Sequence, residues 1–313
     1  MHVTAETIKV NVMKTKNFPK ILSVLAAILL ICAIIISPVT TTAKADMGPK
    51  PFVEITFKNL PDGNLYCTLL SKTESTGPYS HDYSHYQVSG NETVAEIDNA
   101  FSSYTDKDGF YYLHYFSLVD NDTPFRWGYY PPHTFKILIY SKTEDKFIVN
   151  DEILERYAFS SYFTSDYAGA TPNNTATDIK TVKSYNYFLE IVKLILRIAV
   201  TIGIEIAIAL LFRYRGKKLT FIVIVNVITQ VLLNIGLNLY NYNSGALAMG
   251  FYYILWEIVV LIVETLAYII GMRIIENKNG EKHRFFLIHL LYALAANIAS
   301  FGIGVLYLIV IGI

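Results

Sequence analysis

The chain has 313 residues, 53% apolar and 17% charged, with 24 Tyr, 18 Phe, 2 Cys and no formal net charge. That composition, with a mean hydropathy of +0.35, excludes disordered, collagen-like and disulfide-scaffold proteins and is high for a soluble globule. The zero charge conceals a split, since residues 1–45 carry +4, 46–184 carry −8 and 185–313 carry +4, the signature of a membrane protein with one part outside.

Residues 1–45 read as a leader with a cleaved signal peptide that starts at Met13. Lys14, Lys16 and Lys20 precede an apolar run from Ile21 to Ile36, and Ala43-Lys44-Ala45 supplies a small-x-small cleavage site before Asp46. Ile31, before Cys32, is too large for lipoprotein processing.

Residues 46–178 are expected to form an extracytoplasmic β-sandwich-like domain. Val53–Lys58 alternates strictly, and the turn Pro61–Asn64 leads to a second strand, Leu65–Ser71, which predicts a hairpin. Glu92–Tyr104 has helical spacing. Phe110–Val119 is apolar on both faces, as in a central strand. Thr134–Tyr140 and Phe147–Val149 flank the turn Thr143–Lys146, and Tyr157–Thr164 is the last strand expected. Cys67, the only cysteine left after cleavage, reads as a small core residue.

Three polar groups in this domain invite a chemical reading. His81-Asp82 with His85 has metal-ligand side chains but no cysteine partner, and reads as an exposed loop. Asp106-x-Asp108-Gly109 opens like a calcium loop but lacks its later acidic ligands, and reads as a turn. The aromatic loop is the candidate for ligand binding, through Arg126, Trp127, Tyr129 and Tyr130. The competing reading is that these rings close one end of the domain. The sequons at Asn91, Asn121 and Asn173 matter only in a glycosylating secretory pathway.

The stretch Gly48–Phe57, with Tyr66–Ser71 and Ser75-Thr76-Gly77-Pro78-Tyr79-Ser80, resembles a segment of uncharacterised bacterial membrane proteins. Those proteins join a signal peptide and an outer β-rich domain to a C-terminal multi-helix bundle. The resemblance implies an architecture and a location, and brings no activity.

Residues 179–313 contain four apolar stretches, about 185–212, 219–239, 247–271 and 285–308, each long enough to cross ~30 Å of hydrocarbon. Loops 213–218 and 272–284 are basic, whereas 240–246 has no basic residue. The positive-inside rule makes the basic loops cytoplasmic and places 46–184 outside the cell membrane. The fold class is therefore α+β, an outer sandwich followed by a four-helix transmembrane bundle.

Charge inside a membrane is costly, so intramembrane polar residues need a partner or a purpose. Helical spacing and depth predict a seam in two layers: Arg197 with Glu257, braced by Gln230 and Asn297, and below it His289 with Glu264 and Glu205, one carboxyl of which should be protonated. The seam is either structural glue or a proton or cation site. Phe285-x-x-x-His289 resembles one motif of glutamate-dependent intramembrane proteases, whose paired-glutamate motif is missing here. The expectation is a non-enzymatic multi-pass protein whose outer domain binds an envelope ligand or partner, as a sensing or accessory subunit. The alternatives are a small permease using these carboxylates and, behind it, an intramembrane enzyme. Partners are membrane lipid and a further membrane subunit or a second copy; no cofactor, metal or nucleic acid is implied.

Overall fold

The computed structural model describes residues 50–77, 80, 92–282 and 284–311. The leader with its cleavage site, His81-Asp82, His85 and the Asn91 sequon lie outside the described residues. The chain forms two compact units: Met47–Phe188 with Tyr240–Leu247, and, among the described residues, Leu189–Leu239 with Ala248–Ile313.

The first unit is built on two mixed sheets. In one, β1 (Phe52–Lys58) pairs in parallel with β8 (Ser160–Asp166) and antiparallel with β4 (Phe125–Trp127), and β10 (Thr181–Lys183) extends β8. In the other the order is β3 (Ser117–Val119), β2 (Leu65–Ser71), β5 (Thr134–Ser141), β6 (Lys146–Asn150) and β9 (Ala176–Thr177), with β7 (Leu154–Glu155) also on β5. Alternate residues of both sheets, among them Val53, Ile55, Cys67, Leu69, Ile137 and Phe163, share one apolar core. β5 is buried on both faces. Phe135, Ile137 and Ile139 enter that core, while Leu138 and Tyr140 pack with Ile97 and Phe101 of helix α1 (Glu92–Ser103).

The expected helix and the antiparallel pair around Thr143–Lys146 form, with Ser141 opposite Lys146. Three expectations need correction. β1 and β2 are not a hairpin, because they belong to different sheets. Their connection carries buried Leu60, whose backbone N–H donates to Asn121 Oδ1 at 2.8 Å and whose carbonyl accepts from Asn121 Nδ2 at 3.3 Å. Phe110–Val119 is not one central strand. His114 takes a positive φ of 56°, and only Ser117–Val119 and an isolated bridge at Tyr111 pair. The last expected strand starts three residues late, at Ser160, because the Ser161 hydroxyl accepts from the Tyr157 and Ala158 N–H groups (both 3.2 Å) and holds that segment as a turn.

The second unit is helical, made of most of α2 (Tyr187–Leu211), most of α3 (Lys217–Asn279) and α4 (Phe286–Ile311). All three are long and apolar enough to cross a membrane. The expected loop 240–246 is instead helical on both sides of Gly245, which has φ 85° and ψ 170°. A straight 63-residue helix would run about 95 Å, roughly three times the hydrocarbon thickness. It does not run straight. Lys218 bonds Glu276, Tyr268 bonds Asn226, Thr229 bonds Glu264, and Gly236 lies against Trp256, every pair centred within two residues of Gly245. The halves of α3 therefore lie antiparallel. Side chains such as Ile195, Ile228, Leu255 and Ile298 face outward, whereas the acids, amides and tyrosines face inward. That is the reverse of a soluble bundle.

Candidate functional site

The polar seam assembles because its members recur on one face of each helix. From α3, Asn226, Gln230 and Asn234 follow at successive i+4 positions, and Glu257 and Glu264 stand seven apart; α2 contributes Glu205 and α4 contributes Asn297 and Ser300. All of them are buried.

Two carboxyls at the centre have opposite surroundings. Glu264 is fully satisfied, since Thr229 Oγ1 donates to its Oε1 at 2.5 Å and Asn297 Nδ2 to its Oε2 at 2.9 Å. Glu205 is completely buried, faces Glu264, Asn226 and Ser300, and has no hydrogen-bond partner on either oxygen. Asn226 Nδ2, Tyr292 Oη and Asn297 Oδ1 are likewise buried without a partner. So many unmet polar atoms in one bundle core are rare, because each costs about 1–3 kcal/mol when nothing compensates.

Arg197 and Glu257 line one cavity with Gln230, Asn234 and Tyr253, about 30 Å³ in volume and large enough for a water molecule. Arg197 also donates to Asn238 Oδ1 at 3.0 Å. The structure thus brings the expected upper-layer residues Arg197, Glu257 and Gln230 together, and moves Asn297 down to Glu264.

The expected lower layer is corrected. His289 does not join Glu264. Its Nδ1 lies 2.7 Å from Tyr214 Oη, and its Nε2 lies 3.9 Å from Glu276 Oε1. The cause is length: α3 continues eight residues beyond the expected end at Gly271, to Asn279, and so carries Glu276 to the level of the first turn of α4. Glu264 meets Asn297 instead, two turns further along α4 than His289. Glu276 is completely buried, accepts from Lys218 Nζ at 3.0 Å, and accepts the Arg284 N–H at 3.2 Å. Sequence reasoning missed Tyr214, Tyr268, Tyr292 and Thr229. Tyr268 had a local signal, standing four residues after Glu264; Tyr214 and Glu276 had none, being brought together only by the packing.

In the first unit the aromatic loop is largely a core element. Phe125 and Trp127 are buried, and Trp127 Nε1 donates to the Tyr129 carbonyl at 2.8 Å. Tyr129 and Tyr130 pack edge to face, and Gly77 lies so close to the Tyr130 ring that a Cβ there would come within 2.8 Å of it. Of the four candidate residues only Arg126 is well exposed, stacked 4.4 Å above Phe52. Thr76 Oγ1 donates to the Tyr130 carbonyl at 2.6 Å, and the Thr76 and Gly77 N–H groups donate to Ser80 Oγ at 2.9 and 3.1 Å, so Thr76 ties this loop down.

Asp106 and Asp108 close on a lysine. Lys136 Nζ reaches Asp108 at 2.5 Å and Asp106 and Asp151 at 3.2 Å each, with the lysine side chain 1% exposed. Burial opposes the lysine's charge, but the bonds to Asp108, Asp106 and Asp151 outweigh it and hold the ammonium above the usual lysine range. Lys107, then Lys136, hold Asp151 below the usual carboxylate range. Among the described residues no group of three or more His, Cys, Asp or Glu side chains is arranged to hold a metal ion. No family model, curated protein or solved structure matches this chain.

Proposed function

We propose that this is a four-crossing protein of the cell membrane whose bundle binds a proton or cation at Glu205 and Glu264 and couples it to a transport process, as a small permease or permease subunit. The halves of α3 supply two crossings, and the basic segments 213–218 and 272–284, now partly helical, face the cytoplasm, with residues 46–184 outside. One observation carries the reading: Glu205, in a bundle with an apolar exterior, makes no hydrogen bond of ordinary length on either oxygen, although Asn226 and Ser300 face it, and has a second carboxyl beside it. Structural glue would satisfy its own polar atoms. The test is ion movement in liposomes holding the purified full-length chain, with an interior pH dye and an imposed potential. Flux is expected in the wild type and lost in Glu205→Gln and Glu264→Gln. Equal flux in all three would sink the reading.

A second reading, a sensing or accessory subunit whose outer domain captures a ligand or partner, is favoured by a different feature. A recess of about 350 Å³ in the outer unit is lined by polar groups including Asp166, Asn173, Asp178 and Lys180. Recovery of a stoichiometric partner from gently solubilised native membrane, lost when Asp178 and Lys180 are both changed to Ala, would favour it.

A further inference from the structure

We infer that the end of the bundle where α2 connects to α3 and α3 to α4 is a binding surface for anionic phospholipid headgroups. The inference uses the membrane-crossing helices of the proposed function and is independent of whether the Glu205 site takes a ligand.

Two basic segments meet at this end. Lys218 Nζ reaches Glu276 at 3.0 Å and Glu281 at 2.7 Å, and Lys217 Nζ donates to Asn279 Oδ1, 62 residues on, at 3.3 Å. Arg284 Nη1 donates to the Phe212 carbonyl at 2.9 Å and its guanidinium stacks on the Tyr214 ring. Those bonds consume the acids. Glu276 and Glu281 are the only acids in 213–218 and 272–284. Glu276 is completely buried, and Glu281 is held by Lys218 and by Asn279 Nδ2 at 2.9 Å. Six exposed cations are left over: Arg213, Arg215, Lys217, Arg273, Lys278 and Lys282. Among the described residues none of them pairs with a carboxylate. Arg273 and Lys278 stand on α3 itself, which runs to Asn279 before Gly280 ends it at φ 69°, so a helix and not a loose loop presents them. Lys193, near the opposite end of α2, is by contrast paired with Glu190 at 3.3 Å.

Unmatched positive charge here borders exposed hydrocarbon. Leu211 is 79% exposed, and Phe285 and Phe286, with ring centroids 4.9 Å apart, are 64% and 54% exposed. An amphiphile satisfies both, with its phosphate against the cations and its acyl chains against the apolar side chains. A nucleic acid or an acidic soluble protein would neutralise the charge and leave the rings and Leu211 in water.

The test is electron spin resonance of the full-length protein in phosphatidylcholine bilayers, comparing the motionally restricted fractions of trace spin-labelled phosphatidylglycerol and phosphatidylcholine. Phosphatidylglycerol should be preferred about fivefold or more at low salt, the fold-change that one cation near an anionic lipid surface supplies. The preference should shrink as salt screens the charges. Arg213→Gln, Arg273→Gln, Lys278→Gln and Lys282→Gln combined should bring the two lipids level, and these side chains make no hydrogen bond among the described residues whose loss would disturb the fold. Arg213→Lys with Arg273→Lys keeps the charge and should keep the preference, as should Lys193→Gln. A preference that survives the four-site variant, or that Lys193→Gln abolishes, overturns the surface. Displacement of the labelled lipid by inorganic phosphate or by an oligonucleotide, at matched ionic strength, overturns the lipid as its occupant.

Discussion

Lys136 shows how a short acidic motif acquires its meaning from a residue 28 positions away. Asp106-x-Asp108-Gly109 is legible as a turn, and the Asp106 carboxylate does accept the Asp108 N–H at 2.9 Å. Its closing cation is invisible because strand β5 delivers it. Lys136→Met should strand Asp106, whose side chain is 1% exposed, and lower stability by about 3–5 kcal/mol. Thermal unfolding of the full-length chain followed by Trp127 fluorescence, in a Trp256→Phe background, measures this. The pH dependence has a fixed sign. Asp151 is held below its unfolded value, so its contribution is present above the ordinary carboxylate range and is lost as pH falls through the folded value. Lys136→Met should flatten that acid limb. The aromatic loop reads differently once built. Trp127→Ala opens a core cavity costing about 3–5 kcal/mol, while Arg126→Ala, at an exposed stack, should cost under about 1 kcal/mol. Equal losses in the two variants would contradict the burial assigned to Trp127.

At the scale of elements, periodicity identified what is local. The helix at Glu92, the β5–β6 turn and the apolar lengths of the membrane helices all follow from spacings within a segment. The sequence gives no register, so the parallel pairing of β1 with β8, over a hundred residues apart, was unreadable, as was the separation of β1 from β2. The α3 turn is the instructive case. Tyr240–Ala246 is legible as a polar break between two apolar stretches, but its helical backbone is not; the structure keeps the helix on both sides and one glycine at φ 85° reverses the chain. Gly245→Ala should cost about 1–3 kcal/mol at that backbone position. The expected sign is a lower melting temperature of the whole bundle, measured in detergent, with retained helix content by circular dichroism. An unchanged melting temperature would mean that the reversal does not depend on the glycine.

For the whole molecule, charge distribution along the chain is the property most fully readable beforehand, because it depends on counts and not on contacts. The polar seam was legible as a set of residues; its partners were not, since α3 ends eight residues, about two turns, beyond the expected Gly271 and so sets Glu276, not Glu264, beside His289. The lysine among three aspartates has a consequence at this scale too. A domain meets whatever divalent-ion level and chelators its surroundings impose, and loops of acidic residues commonly make stability follow that level. Here the counter-ion is covalently attached to a central strand, so dilution cannot remove it and no supply is required. The β-rich unit should melt at the same temperature in millimolar calcium and in excess EDTA, and so keep one shape across environments that would switch an ion-closed loop on and off.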